Sequence, residues 1–391
     1  VIAYLTDVEG RWDKLVSFTS DNPAVALVDG ELRLSDGVTF VFGGDAVDRG
    51  PHARRIVSLL VKAKRTYGER VVLLAGNRDI NKTRLVTELS GKPHHRAPPL
   101  PSRVELLKWT FANTMGAAKA FEHRVAELQE TGAPHDDEAV VETYLADLGP
   151  GGELRAYLNS CQLGFRAGAT LFVHGGLTVE NFLQLPNAAA AHDVDGWLAR
   201  LNGFYADELQ RFERGERPDA LIKYQSQGPD KLNQGSVVYA RPTDALGNPQ
   251  LPPRAVVEQL LANGVRRVVV GHTPSGDCPA LLRDGAFELV LADNSYGRLE
   301  RGSQLVLTDE ATQVRAVTKL DDGAEAKVDF TLTRDEASPL GLRDAETRQL
   351  VKARLADGAY LLFRALPDYV VEQVSASPDA LGRRRLESPR V

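Results

Sequence analysis

Five short polar clusters, each standing at the end of an apolar and mostly β-branched run, constrain this chain more than any other feature. They are Asp7-Val8-Glu9, Gly44-Asp45-Ala46-Val47-Asp48-Arg49-Gly50, Gly76-Asn77-Arg78-Asp79, Val173-His174-Gly175-Gly176 and Gly271-His272-Thr273. Continuous Val/Ile/Leu runs read as buried parallel strands. In open α/β sheets, ligands bind just beyond the carboxyl ends of such strands. Five strand ends can therefore deliver carboxylates, an amide and two imidazoles to one crevice.

Residues 1–6, 38–42, 70–75, 170–173 and 266–270 read as strands, with 288–291 and 304–307 as later ones. After Gly50, Pro51 suits a first helical turn, and Ile56, Leu59, Leu60 and Ala63 share one helical face. Alternation of strand and helix predicts an α/β fold with a largely parallel sheet covered on both faces. Two stretches interrupt it, about 90–164, with helical text over 104–128, and about 178–234. Insertions at strand ends beside a site are natural caps; equally, they can be helices that only pack on the core. The expected organisation is a catalytic domain over 1–320 and an extension over 321–391, with a helix at 344–355, strands at 328–332 and 360–363, and a loose tail from Ser375.

Composition narrows the function. A net charge of −6 and an isoelectric point near 5.8 argue against a nucleic-acid or membrane-surface binder, which carries a basic face. Two cysteines, Cys161 and Cys278, are too few for a disulfide framework or a thiolate zinc site and suit a reducing compartment. No apolar stretch approaches the roughly 20 residues that span a bilayer. The expectation is a cytoplasmic protein, with a targeting segment removed ahead of Val1 left open. Phosphate-loop, serine-elbow, zincin and dinucleotide motifs are absent from the sequence.

The clusters suit metal chemistry. Two divalent ions about 3.5–4 Å apart polarise a phosphoryl oxygen and hold a hydroxide between them, provided that one carboxylate is shared. Asp45 is the candidate for sharing, since Gly43 and Gly44 allow close backbone approach. Asp7 and Glu9, two apart on extended backbone, point the same way and can complete one ion's shell. Asn77, His174 and His272 can complete the other.

At these residues the chain resembles the calcineurin-like metallophosphoesterase superfamily, whose pattern runs D-x-H, G-D-x-x-D-R-G, G-N-H-[DE], a later His often followed by Gly, and G-H. His174-Gly175-Gly176-Leu177 is similar to the branch of phosphoprotein phosphatases and dinucleoside tetraphosphate hydrolases. The resemblance covers about residues 1–300 and implies a four-layer α/β/β/α sandwich with helical cap insertions. It implies Asp7, Glu9 and Asp45 as ligands of a first ion, and Asp45, Asn77, His174 and His272 as ligands of a second. It makes Arg49 and Arg241 grips for phosphate oxygens, a task for a planar fork of donors. The implied activity is phosphomonoester hydrolysis, phosphoprotein side chains included. Alternatives are a dinucleoside polyphosphate or other phosphoanhydride hydrolase, and a phosphate-ligand binder that has lost the chemistry.

Two positions depart from the pattern. Glu9 stands where histidine is usual, so the ion pair would keep one unit less positive charge and an oxygen-rich shell that favours Mn²⁺ or Mg²⁺ over zinc, with iron also possible. Manganese is the expectation; Glu9 has a second reading as a solvated carboxylate. Arg78 stands where a histidine would protonate the leaving group, and arginine stays charged. Paired with Asp48, it reads as a third phosphate clamp or as a structural partner. Asp293 and Asn294 are expected to orient His272, Lys82 and Arg84 to lie on a charged helix face, and His94 and His95 in a solvated loop.

Overall fold

Alternation of side chains along each strand builds the layers. The structure is a computed structural model describing residues 1–186, 188–228, 232–334, 336–367 and 370–389. In it Ile2–Leu5 pairs in parallel with Thr39–Phe42, which pairs in parallel with Val71–Leu74, and that with Cys161–Gln162. On its other edge Ile2–Leu5 meets Gln304–Leu307 antiparallel, followed by Ala311–Lys319 and Glu325–Thr333. A second sheet centres on Arg267–Pro274, parallel to Thr170–Val173 and Phe287–Asp293, with Gly164–Ala167 and Ala280–Asp284 antiparallel at its edges.

Successive residues of a strand face opposite sides of its sheet. Tyr4, Val41, Val72 and Leu74 of the first sheet therefore share one buried cluster with Phe172, Val269 and Val290 of the second, and the rings of Tyr4 and Phe172 stack at 5.7 Å. Their neighbours Ala3, Leu5, Phe40, Phe42, Leu73, Leu171, Val173, Val268 and Val270 turn outward into another cluster, which takes in Ile56 and Leu60 of the helix Ala53–Tyr67 and Val256 and Leu260 of Arg254–Ala262. Strands buried on both faces explain the unbroken apolar runs. Helix, sheet, sheet and helix form the four-layer α/β architecture anticipated from the sequence.

The later chain departs from expectation. Residue 320 sits in a hairpin turn whose second strand, Glu325–Thr333, joins the first sheet, so the division there cuts through paired backbone. The helix expected over 344–355 is instead the strands Arg343–Asp344 and Leu350–Arg354. Leu350, Val351 and Ala353 are buried on more than a helical stripe, and Val351 and Ala353 join the inter-sheet cluster. With Tyr360–Ala365, Val371–Ala376 and Leu386–Glu387 they form a third sheet. The tail from Ser375 is ordered through the helix Pro378–Gly382, capped by Ser377; 390–391 lie outside the described residues. The run over 104–128 divides into Arg103–Thr114 and Ala120–Glu130, parted at Gly116 with φ 59°.

Candidate active site

Where the strands end, the backbone turns left-handed. Asp7 (φ 51°), Glu9 (49°), Asp45 (56°), Asp48 (109°) and His272 (58°) are five of the nine non-glycine residues with positive φ among those described. Such conformations cost on the order of 1–3 kcal/mol each and persist only where surrounding structure enforces them. Here the loops enforce one another: Asp7 N donates to Gly44 O (3.0 Å), Glu9 N to Asp45 O (3.0 Å) and Arg49 N to Glu9 O (2.7 Å). His272 N donates to the Asp7 carboxylate at 3.1–3.2 Å. A Cβ at Gly76 would run into the Asp45 carboxylate, and one at Gly271 into Asp7 and Thr6.

Asp45 divides the site. Its Oδ1 accepts from Arg78 N (2.9 Å) and lies 3.5 Å from His174 Nε2, which is also 3.3 Å from Asn77 Oδ1. The other ring nitrogen of His174 is 2.7 Å from the Gly43 carbonyl, which can only accept, so the ring donates there and aims Nε2 at two oxygens. Burial opposes a charged ring, but Asp45 outweighs it and pushes His174 up to about 10. His272 is the reverse: burial and Arg241 hold it well below the usual imidazole range. Its ring packs on Tyr239 at 4.8 Å and on His174 at 5.3 Å, and its Nε2 is buried without a hydrogen-bond partner. Ligand atoms of Asp45, His174 and His272 lie within 4.8 Å of one another. An orphaned neutral imidazole, and a His174 nitrogen aimed at two oxygens, fit a divalent cation that would take the place of the His174 Nε2 proton and would polarise a phosphoryl oxygen there.

The other half is arranged differently. Arg78 Nε lies 2.6 Å from Glu9 Oε1 and 3.5 Å from Asp45 Oδ2, and its Nη1 3.6 Å from Asp48 Oδ2. Arg49 Nε approaches Glu9 Oε2 at 3.5 Å and its guanidinium covers the Tyr296 ring at 3.8 Å. Burial pushes Glu9 up to about 7 against the pull of both arginines. Asp7 is raised by burial and then by Asp293, and accepts from Thr6 Oγ1 at 2.5 Å. Asp7, Glu9 and Asp45 do not form a group as tight as the histidine cluster among the described residues.

A cleft of about 460 Å³ opens on this site, lined by Asp7, Glu9, Asp45, Asn77, Arg78, Arg241 and His272. Both insertions wall it, the first through Thr114, Met115 and Gly116 and the second through Gln225 and Gln227. The ten sequence candidates thus gather in one region, with Asp48, Arg49 and His174 behind the lining side chains.

Other expectations are corrected. Lys82 is fully buried, its Nζ 2.7 Å from Asp48 Oδ2, because it sits one helical turn after Arg78 on the face turned to Asp48. Arg84 is buried too, held by Glu88, Asn81 and Thr114. His94 and His95 do lie in a solvent-facing loop, with His94 on the cleft wall. The His272 amide is held by Asp7; Asp293 accepts from Ser295 N, and Asn294 binds Gly276 O and Ser303. The sequence reading gave no role to Tyr239 or Tyr296, and to Asp79 only that of a partner for an arginine. Asp79 accepts from the amides of Asp45, Ala46 and Gly76 and from Tyr157, tying two clusters together. Its sequence signals were its place in the cluster Gly76-Asn77-Arg78-Asp79, at the acidic position of the family pattern and at a helix start.

Carboxylate, amide and imidazoles gathered at the strand ends of a paired-sheet sandwich, under an arginine-lined cleft, mark a candidate metal site in a hydrolase of phosphate esters. The chain belongs to the calcineurin-like phosphoesterase family, whose sequence profile matches residues 1–276. No curated protein matches it. Among solved structures it is similar to a cold-active protein tyrosine phosphatase, at 17% identity over 84% of this chain and 78% of that one, TM-score 0.46. It is also similar to a protein serine/threonine phosphatase from Saccharomyces cerevisiae with similarity to human phosphatase PP5, at 14% identity over 86% and 81%, TM-score 0.36. No helix among the described residues is long and apolar enough to cross a membrane.

Proposed function

We propose that this protein is a metal-dependent phosphatase of phosphomonoesters, phosphoprotein side chains among them. One observation carries the reading: Asp45, His174 and His272 offer ligand atoms within 4.8 Å of one another at the floor of a polar cleft bordered by Arg78 and Arg241. In this reading Asp45, Asn77, His174 and His272 hold the cation, with manganese the favoured ion. Arg241 and Arg78 orient the phosphoryl group through their forked donors, Arg49 fixes Glu9, and Asp48 anchors Lys82 and Arg78. The two facing sheets are the catalytic unit and the third sheet its brace. Both cysteines are buried and free, which suits a reducing compartment.

The test is turnover of an aryl phosphate with added Mn²⁺, using Asp45→Asn as blank; activity no greater than the blank removes the reading. A second reading, hydrolysis of a phosphoanhydride such as a dinucleoside polyphosphate, is favoured by Arg96, a further cation on the cleft wall. Phosphate release from phosphopeptides against dinucleoside tetraphosphates separates the two.

A further inference from the structure

We propose that the centre takes a single divalent ion, and that the Arg78 guanidinium occupies the position a second ion would need. The proposal deepens the hydrolase reading and rests on it.

The two departures seen in the sequence prove to be one change. Glu9 and Arg78 face each other at 2.6 Å, the closest ion pair that either makes. Arg78 is enclosed, its side chain 12% exposed, by three carboxylates from two loops: Glu9 from one, Asp45 and Asp48 from the other. Asp45 is bidentate between unlike partners, with Oδ1 turned to His174 and Oδ2 to the guanidinium. The carboxylate that would bridge two ions therefore bridges the histidine cluster and a fixed organic cation.

Most oxygens on that side already face a cation or a donor, although Glu9 Oε2, 3.5 Å from Arg49 Nε, and Asp48 Oδ1 accept no hydrogen bond. Glu9 Oε2 faces Arg49, the Asp48 Oδ2 oxygen is taken by Lys82, and Asp7 accepts from Thr6 and from the His272 amide. Three carboxylates, Glu9, Asp45 and Asp48, thus meet three cations, Arg49, Arg78 and Lys82, before any metal is added. Pro274, which lines the cleft beside His272, carries no donor. A guanidinium cannot discharge its proton near neutral pH. A second ion would have to expel a buried, ion-paired side chain and take over the carboxylates that it now pairs.

The arrangement has a chemical consequence. A permanent single charge with directed N–H donors can hold phosphate oxygens, but it lends no Lewis acidity. The site keeps half the metal and replaces the rest by a clamp.

The test uses the full chain stripped with chelator, titrated with Mn²⁺ and freed of excess ion. Elemental analysis should give one equivalent, and the electron paramagnetic resonance spectrum should be that of an isolated ion. Two equivalents, or an exchange-coupled spectrum, overturn the proposal. A second arm replaces both partners, Glu9→His with Arg78→His. It should gain a second equivalent and the coupled spectrum; a folded double variant still at one equivalent shows that the guanidinium excludes nothing and also overturns it. One equivalent without hydrolysis supports the count while removing the phosphatase reading, and no bound ion at all defeats both.

Discussion

At the scale of single residues, a guanidinium at position 78 decides what the reaction can demand of its substrate. Arg78 stays protonated, and the neighbouring Lys82 is fully buried against Asp48, so neither delivers a proton to a departing alkoxide at useful rate. Substrates whose leaving group needs no proton should be favoured. Across substituted phenyl phosphates, log kcat/KM is expected to fall steeply as leaving-group pKa rises, and Arg78→His to flatten the slope; a flat wild-type series would refute the assignment. Lys82 itself allows a stability prediction. Truncation to Lys82→Met leaves Asp48 buried with only the more distant Arg78, and removing one partner of a buried pair costs about 3 kcal/mol. Urea unfolding should show that loss, and Asp48→Asn in the same chain should recover part of it. Equal stability of Lys82→Met and the wild type would mean that the pair contributes nothing.

At the scale of elements, the same alternation that hides each strand on both faces also aims its last residues at one crevice. That much was legible: runs such as 71–74, buried at every position, have no polar face to expose, and their ends carry the acids and imidazoles. Partner choice was not legible. The sequence joins Asp48 to position 78, but nothing in its spacing says that Glu9 reaches Arg78, because their contact depends on the left-handed turns at Glu9 and Asp45 meeting beside the start of the helix Asn77–Asn81. Nor could short apolar runs at 350–354 declare strand over helix, a distinction that lies in tertiary burial. Those meeting turns set the element-scale prediction. Gly271 lies where a Cβ would enter the Asp7 carboxylate, so Gly271→Ala must displace either Asp7 or the strand Arg267–Pro274 that carries His272. Mn²⁺ affinity should drop at least about tenfold, corresponding to roughly 1.4 kcal/mol, with secondary structure by circular dichroism intact. Unchanged affinity would show that Asp7 does not position His272.

At the scale of the molecule, the third sheet is bound to the site through one loop. The strand Arg267–Pro274 runs from His272 into residues 275–278, and that loop is gripped from the C-terminal side. Lys352, fully buried, directs its Nζ to the Ser275 carbonyl and lies 4.5 Å from the centre of the Phe363 ring. Gln373 Nε2 donates to Asp277 Oδ2 at 2.9 Å, and the Lys319 amide donates to the same oxygen. Behind these contacts Val351, Leu361 and Leu362 join the cluster that contains Val269 and Val290, so the sheet is continuous with the inter-sheet core. If it braces the site as well as covering apolar surface, loosening its polar grip should be felt at the metal. Lys352→Met keeps the apolar stem against Phe363 but strands the Ser275 carbonyl, an unpaired buried acceptor that costs about 1–3 kcal/mol. The expected result is faster hydrogen exchange at residues 276–278 and several-fold weaker Mn²⁺ binding, whereas exchange within the distant helix Ala53–Tyr67 stays as in the wild type. A uniform rise in exchange, with metal affinity unaltered, would reduce the third sheet to a cover for the core, because a brace must transmit its loss to the strand it holds before the whole fold gives way.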